Sequence, residues 1–378
     1  MGIKFYACCC LLWLVYGVVL TSSSKMPEYV SVQQYFSGSG RIESSDVTWA
    51  HAVNSHEALN QSINDPKIMM LEADILMGVH TRVHSLEMIP IMAHPPDKSS
   101  DLSFAQFLDT VLQATQTQSH HKGIKLDFKE IEAVEPCLVM LKEKLGEDNV
   151  TPFPVFINAD ILMGPVDSTK KPVDAERFIS LAKTHAPYAT ISLGWTTRFG
   201  DDDVAQNKGD GKQIVEGKYT KTHMKEMAVV IRKYGGDPPV FSHITFPLRT
   251  SLALNSVDEI LFLQGKVRSD FSITLWTSKN DPPVDNAEVQ NMIPQIGRHR
   301  VFLDLPNESD AKALSGEESH HEFDDHHHNP QEGIASRGHS EEENPSDKGS
   351  SSAASNLANF FPLVAFGFVS AFIIYRHL

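Results

Sequence analysis

Ile68-Met-Met-Leu-Glu-Ala-Asp-Ile-Leu76 begins as an apolar run and carries two carboxylates, Glu72 and Asp74, set two residues apart. Alternate side chains of an extended strand share a face, so Glu72 and Asp74 point one way and Ala73 the other. The same design returns in Gly123-Ile-Lys-Leu-Asp-Phe-Lys129 and in Pro154-Val-Phe-Ile-Asn-Ala-Asp160. Strands that start nearly all apolar and finish polar fit a parallel sheet covered on its outer face by helices. Outward from these three, further strand candidates are Val47 to Val53, Ile89 to Ala93, Ala189 to Gly194, Ile244 to Ala253 and Phe271 to Thr277. Helical spacing separates most of them: Phe104, Phe107, Leu108, Val111 and Leu112 keep to one face, as do Phe178, Leu181 and Ala182. Eight strands alternating with helices predict an α/β fold, a (β/α)8 TIM barrel, with a doubly wound open sheet as the alternative. A ninth apolar run, Val301 to Leu305, reads as an edge strand or cap. Ala73 to Gly78 and Ala159 to Gly164 spell the same six residues, which on this count pairs the second strand with the fifth.

The chain has 378 residues, 41% hydrophobic and 21% charged, the composition of an ordinary folded protein. Its formal net charge of -15 is uneven: Pro306 to Asn356 holds twelve Asp/Glu against three Lys/Arg. No basic patch offers a footprint for nucleic acid, and that class is excluded. Residues 1–24 read as a signal peptide, with Lys4 before an apolar stretch and small residues from Thr21 to Ser24. Residues 25–305 then form the barrel and 306–356 an acidic, His-rich stalk too poor in apolar residues to fold alone. His320, His321 and His326 to His328 in that stalk read first as part of a solvated spacer and second as a loose metal site. Residues 357–378 are an apolar tail whose run from Phe360 to Tyr375 is short for a spanning helix, which favours a GPI-type anchor over a transmembrane segment. The expected address is the secretory pathway, ending on the outer face of the plasma membrane or in the extracellular space. Asn60, Asn149 and Asn307 begin N-glycosylation triplets that suit such a route. Cys137 is the single cysteine beyond the signal, so no internal disulfide is expected.

The polar strand ends carry the candidate chemistry. His51 and Asn54 end the first strand, Glu72 and Asp74 the second, His94 the third, Asp127 and Lys129 the fourth and Asn158 the fifth. Asp160 reads as a turn residue ahead of Gly164-Pro165. Three carboxylates, Glu72, Asp74 and Asp127, repel one another in one mouth unless a cation intervenes, and oxygen ligands without thiolate suit Mg²⁺ or Ca²⁺. Two histidines, His51 and His94, can exchange protons near neutral pH, and Lys129 can hold an anionic oxygen. Arg249, in an apolar strand, requires an anion or carboxylate beside it. Trp276 is a candidate pocket wall, and Trp195 reads equally as pocket wall and as core. Arg198 to Lys221 reads as a long loop on the same face.

Thr48-Trp-Ala-His-Ala-Val-Asn-Ser55, Leu71-Glu-Ala-Asp74, Ala93-His-Pro-Pro96, Gly123 to Lys129, Phe156-Ile-Asn-Ala-Asp160, Ser192-Leu-Gly-Trp195 and Leu275-Trp276 resemble the menorin domain family. The likeness spans about Val47 to Leu305. That family is similar in turn to barrel phosphodiesterases of the glycerophosphodiester and sphingomyelinase D type. The resemblance implies acid–base roles for His51 and His94, metal ligation by Glu72, Asp74 and Asp127, and Lys129 beside a phosphate. Asn54, Asn158, Arg249 and Trp276 stand as candidate substrate contacts. The hydrolases place Arg-Gly after the first histidine, whereas here Ala52-Val53 follows His51. Two functions are therefore carried forward: a metal-dependent phosphodiesterase acting on a phosphodiester or phospholipid, and a non-catalytic extracellular ligand for a cell-surface receptor or adhesion protein.

Overall fold

The computed structural model describes residues 29–305 except 39, 83–85, 118–120, 146–151, 167, 169, 198–216, 238, 268–269, 279–280 and 282–283. The signal, stalk and tail, the triplets at Asn149 and Asn307, and most of the expected loop over 198–221 lie outside the described residues.

Eight parallel strands stand side by side in the order β1 (Trp49–Ala50), β2 (Met70–His80), β5 (Gly123–Phe128), β6 (Val155–Met163), β7 (Thr190–Thr196), β8 (His243–Arg249), β9 (Asp270–Trp276) and β10 (Val301–Asp304). The ring is nearly closed. Between β1 and β10 the gap is spanned by the Trp49 and Phe302 rings, 6.1 Å apart, and by a hydrogen bond from His51 to Asp304. The fold is the expected α/β barrel, but two strand assignments change. The run at 89–93 gives β3 (Ile89–Met92), which pairs antiparallel with the far end of β2 and lies off the ring together with β4 (Ser99–Ser100). The ninth run, β10, pairs parallel with β9 and takes the eighth place. The error has a physical source. β2 runs on beyond the barrel rim, and a strand extension with free edges recruits its own partners. Removing β3 from the count places the repeated six residues on the second and fourth barrel strands.

Helices cover the outside, and their starts follow local chemistry. Ser55 caps α2 (His56–Asn64) by accepting from the Ala58 amide at 3.1 Å, with His56 at its first position. Asp174 caps α5 (Ala175–His185), and Asp285 caps α9 (Asn286–Ile296). In α3 (Phe104–Thr117) the predicted face is confirmed: Phe104, Phe107, Leu108 and Val111 are buried. Between helices and barrel lies a core that includes Leu71, Ala73, Ile124, Leu126, Ile157, Ile191 and Ile244. The predicted strand from Ile244 to Ala253 ends at Arg249, and the chain turns into a short helix, Thr250–Ala253. Trp195 is core, packed 5.4 Å from Tyr219.

Inside the barrel a second cluster, Trp49, Met70, Phe156 and Phe302, forms a floor that Val32 and Val47 close from below. On this side the interior is apolar at the strand starts and polar at the strand ends, while the starts of β7 and β8 carry Thr190 and His243. Phe302 belongs to that floor, so Phe302→Ala is expected to lower stability by about 3–5 kcal/mol in urea unfolding. A loss below about 1 kcal/mol would return Val301–Asp304 to the role of a surface cap.

Candidate functional site

Strand register sets the site. Asp74, Asp127, Asn158 and Ser192 stand level on β2, β5, β6 and β7, and inward alternation brings their side chains above the aromatic floor. One oxygen each from Glu72, Asp74 and Asp127 lies within 4.8 Å of the others. Each carboxylate is braced. Asn54 holds Asp74 twice, donating from Nδ2 to Oδ2 at 2.7 Å and accepting the Asp74 amide at 2.9 Å. The Ala52 amide donates to Glu72 Oε2 at 2.8 Å, with Ala52 in the left-handed region at φ 54°. Such a conformation in a residue with a side chain is strained, and strain of this kind gathers at functional sites. Asn158 Nδ2 donates to Asp127 Oδ1 at 2.6 Å and is itself oriented by the Ser192 hydroxyl.

Lys129 reaches back over the trio, 2.8 Å from Asp74 Oδ1 and also bonded to Asp127. Burial opposes the Asp74 charge, but Lys129, His94 and Asn54 together outweigh it and hold the carboxyl below its ordinary value. His94 is exposed at the rim, where Nδ1 meets the Pro95 carbonyl oxygen at 2.6 Å and the imidazole adds to the field that favours the Asp74 anion.

His51 is where reading from the sequence fell short. Its Nδ1 lies 3.0 Å from Asp304 Oδ1 and 3.4 Å from Glu72 Oε2. The other oxygen of Asp304 accepts from Lys125 Nζ at 2.8 Å, with Asp304 wholly buried and Lys125 nearly so. Burial disfavours the imidazolium, yet Glu72 and Asp304 together lift the His51 pKa to about 9. Burial raises Glu72 to about 7 against the pull of His51. Asp304 is also desolvated, but Lys125 and His51 hold its carboxyl below the usual range. The sequence did carry a signal for both partners. Lys125 is a charge inside an apolar run, in step with Asp127 and Lys129, and Asp304 interrupts the ninth run in the same way.

Arg249 is buried, as expected, with its carboxylate alongside. Its Nε donates to both oxygens of Asp281 at 3.1 and 3.0 Å, and its guanidinium lies 5.2 Å from the Trp276 ring. Arg249 and Trp276 form a pair on the β8–β9 side of the mouth. Asp160 is no turn residue: it lies within β6, inward by alternation, half-buried, with burial and the charge of Asp127 raising it to about 7.

Residues 43–310 match the family model described as the Menorin N-terminal domain. The chain belongs to the menorin family. Among curated relatives, Protein FAM151B of Homo sapiens is 33% identical over 284 residues, covering 73% of this chain and 89% of that protein. Among solved structures, the catalytic domain of the Thermobifida fusca endoglucanase Cel5A with cellotetraose aligns over 73% of this chain and 86% of its own, at 11% identity and a TM-score of 0.37. A family 18 chitinase from Crocus vernus covers 76% and 94% at 12% identity and a TM-score of 0.33. At that distance neither bears on what this menorin barrel does.

Asp304→Asn leaves Lys125 buried without its counter-charge, and removing one member of a buried pair costs about 3–5 kcal/mol. The folded chain holds the Asp304 carboxyl below its unfolded range, so this stabilisation is complete above about pH 4 and fades as pH falls. Urea unfolding of the metal-free protein is expected to show a gap between native and Asp304→Asn chains at pH 7 that narrows at pH 3. Equal stability at pH 7 would remove the pair from this description.

Proposed function

We propose that this menorin barrel is a metal-dependent phosphodiesterase acting on a phosphodiester or phospholipid outside the cell. The observation that carries the proposal is the anchored imidazole of His51 beside the Glu72–Asp74–Asp127 trio. The donor set fits a hard divalent cation: three carboxylates whose oxygens lie within 4.8 Å, with no thiolate or imidazole in the group. Mg²⁺ or Ca²⁺ held there would draw negative charge from a phosphate oxygen. The rest is done by side chains. With Nδ1 of His51 committed to Asp304, Nε2 is left as the nitrogen that takes a proton from, or gives one to, a reacting oxygen. His94, exposed at the rim and close enough to act on the Asp74 charge, is the second proton carrier. Lys129, which pairs with Asp74 and Asp127, is the side-chain cation placed beside the trio to hold a phosphate oxygen.

Two measurements test this reading. Melting temperature is expected to rise with Mg²⁺ or Ca²⁺ by an amount equivalent to about 2.7 kcal/mol at a hundredfold excess over the dissociation constant. Asp74→Ala should show no such rise, and an equal response in both chains sinks the metal site. On a panel of glycerophosphodiesters and phospholipids, turnover should vanish on chelation and fall by about a hundredfold or more in His51→Ala and in His94→Ala. No turnover by a folded, metal-loaded protein rejects the enzyme.

One observation favours the second reading, a non-catalytic ligand for a receptor or adhesion protein. Lys129 pairs with both Asp74 and Asp127, a side-chain counter-charge that would also stabilise these carboxylates in a centre that does no chemistry. Under that reading folded His51→Ala keeps its binding to cell surfaces in full; loss of that binding would reject it.

A further inference from the structure

Asp160 is an acidic residue of the mouth that belongs neither to the Glu72–Asp74–Asp127 trio nor to the His51–Asp304 pair. It sits one tier above Asn158, and the β6–β7 register that sets it opposite Gly194 slips immediately afterwards, between Asp160 and Leu162. Irregularities of this kind re-aim side chains beside functional sites. Gly194 supplies the space: a Cβ at that position would lie 2.2 Å from Asp160 Oδ1 and 3.1 Å from Pro247 Cγ. The carboxylate therefore lies across β7 toward β8, within the wall of the barrel.

Its neighbours are all engaged. Glu72 takes the Ala52 amide, Asp74 takes Asn54 and Lys129, Asp127 takes Asn158 and Lys129, and Asp304 takes His51 and Lys125. The Asp160 carboxylate joins no hydrogen bond or ion pair among the described residues; Lys129 and Lys170 act on it through space alone. A carboxylate drawn out of water and left unpaired is costly, and native folds seldom keep one without something to meet it. The same six residues on β2 make the contrast plain, because there the matching Asp74 is fully engaged.

Resting on the phosphodiester reading above, we infer that Asp160 binds the protonated primary amine of a zwitterionic phosphodiester whose phosphate lies over Glu72, Asp74 and Asp127. Asp160 stands on the strand next to that of Asp127 and one tier higher, with Oδ1 over Gly194 on the following strand, so it flanks the trio on the β7 side, where the amine end of a short aminoalkyl phosphate would fall. An ammonium with three N–H donors matches the free acceptor sites of the carboxylate. A quaternary ammonium is recognised instead by aromatic faces; Trp195 and Tyr219 are packed into the core at 1% and 0% exposure, and the Trp276 ring at the mouth already faces the Arg249 guanidinium.

The test is headgroup preference. Binding of glycerophosphoethanolamine, glycerophosphocholine and glycerophosphoglycerol to the metal-loaded protein is measured by calorimetry for native, Asp160→Asn and Gly194→Ala chains, each checked for native melting. The native protein should bind the ethanolamine ester at least about tenfold more tightly than the glycerol ester. Both variants should bring that ratio close to one, the alanine by displacing the carboxylate and the asparagine by removing its charge. A structural role would weaken all three esters by the same factor and leave the ratio intact, which overturns the inference, as does a native preference for the choline ester. Metal-dependent binding of all three esters without discrimination removes Asp160 alone; no binding of any ester removes the phosphodiester reading with it.

Discussion

Asp304 has to remain ionised in a place where water does not reach it. Lys125 reaches it from β5 and His51 from the segment after β1, so one carboxylate links the last strand of the barrel to two others. In a low-dielectric interior such links are strong when complete and costly when broken. They also decide the geometry above them. His51 can present only Nε2 to the mouth, and Lys125 is kept from competing for the trio.

From this point the polar half of the barrel is built by mutual satisfaction. Asparagines and a serine, neutral groups with fixed dipoles, set the orientation of Asp74 and Asp127, while Lys129 supplies the charge. The apolar floor of Trp49, Met70, Phe156 and Phe302 lies beneath these groups and shields them from the strand starts on that side of the barrel. Asp281 does the same for Arg249 on the far side, where a buried guanidinium would otherwise lack a counter-charge.

Most of the barrel was legible in the sequence because parallel strands are buried on both faces and therefore read as apolar runs. The runs of β2, β5 and β6 announce both the fold and the trio. What periodicity does not report is partnership. Ile89–Met92 has the composition of a barrel strand, yet it serves the overhanging end of β2. Val301–Asp304 is too short to look like a structural member, yet it fills the last gap. Once that strand was read as a cap, Asp304 could not be seen as the partner of His51, since the pairing joins residues at opposite ends of the domain. Asp160 was misread for a different reason: Gly164-Pro165 is a genuine breaker pair, but the strand continues to Met163 before it takes effect.

Because the strands are parallel, the chain leaves the barrel at the mouth. Asp304 is followed by one more buried residue, Leu305, before the described structure ends. A pull on the carboxyl-terminal side of Leu305 would load β10 first, the strand that carries the anchor of His51. Through Asp304 such a pull would reach the His51 imidazole and the Lys125 ammonium together.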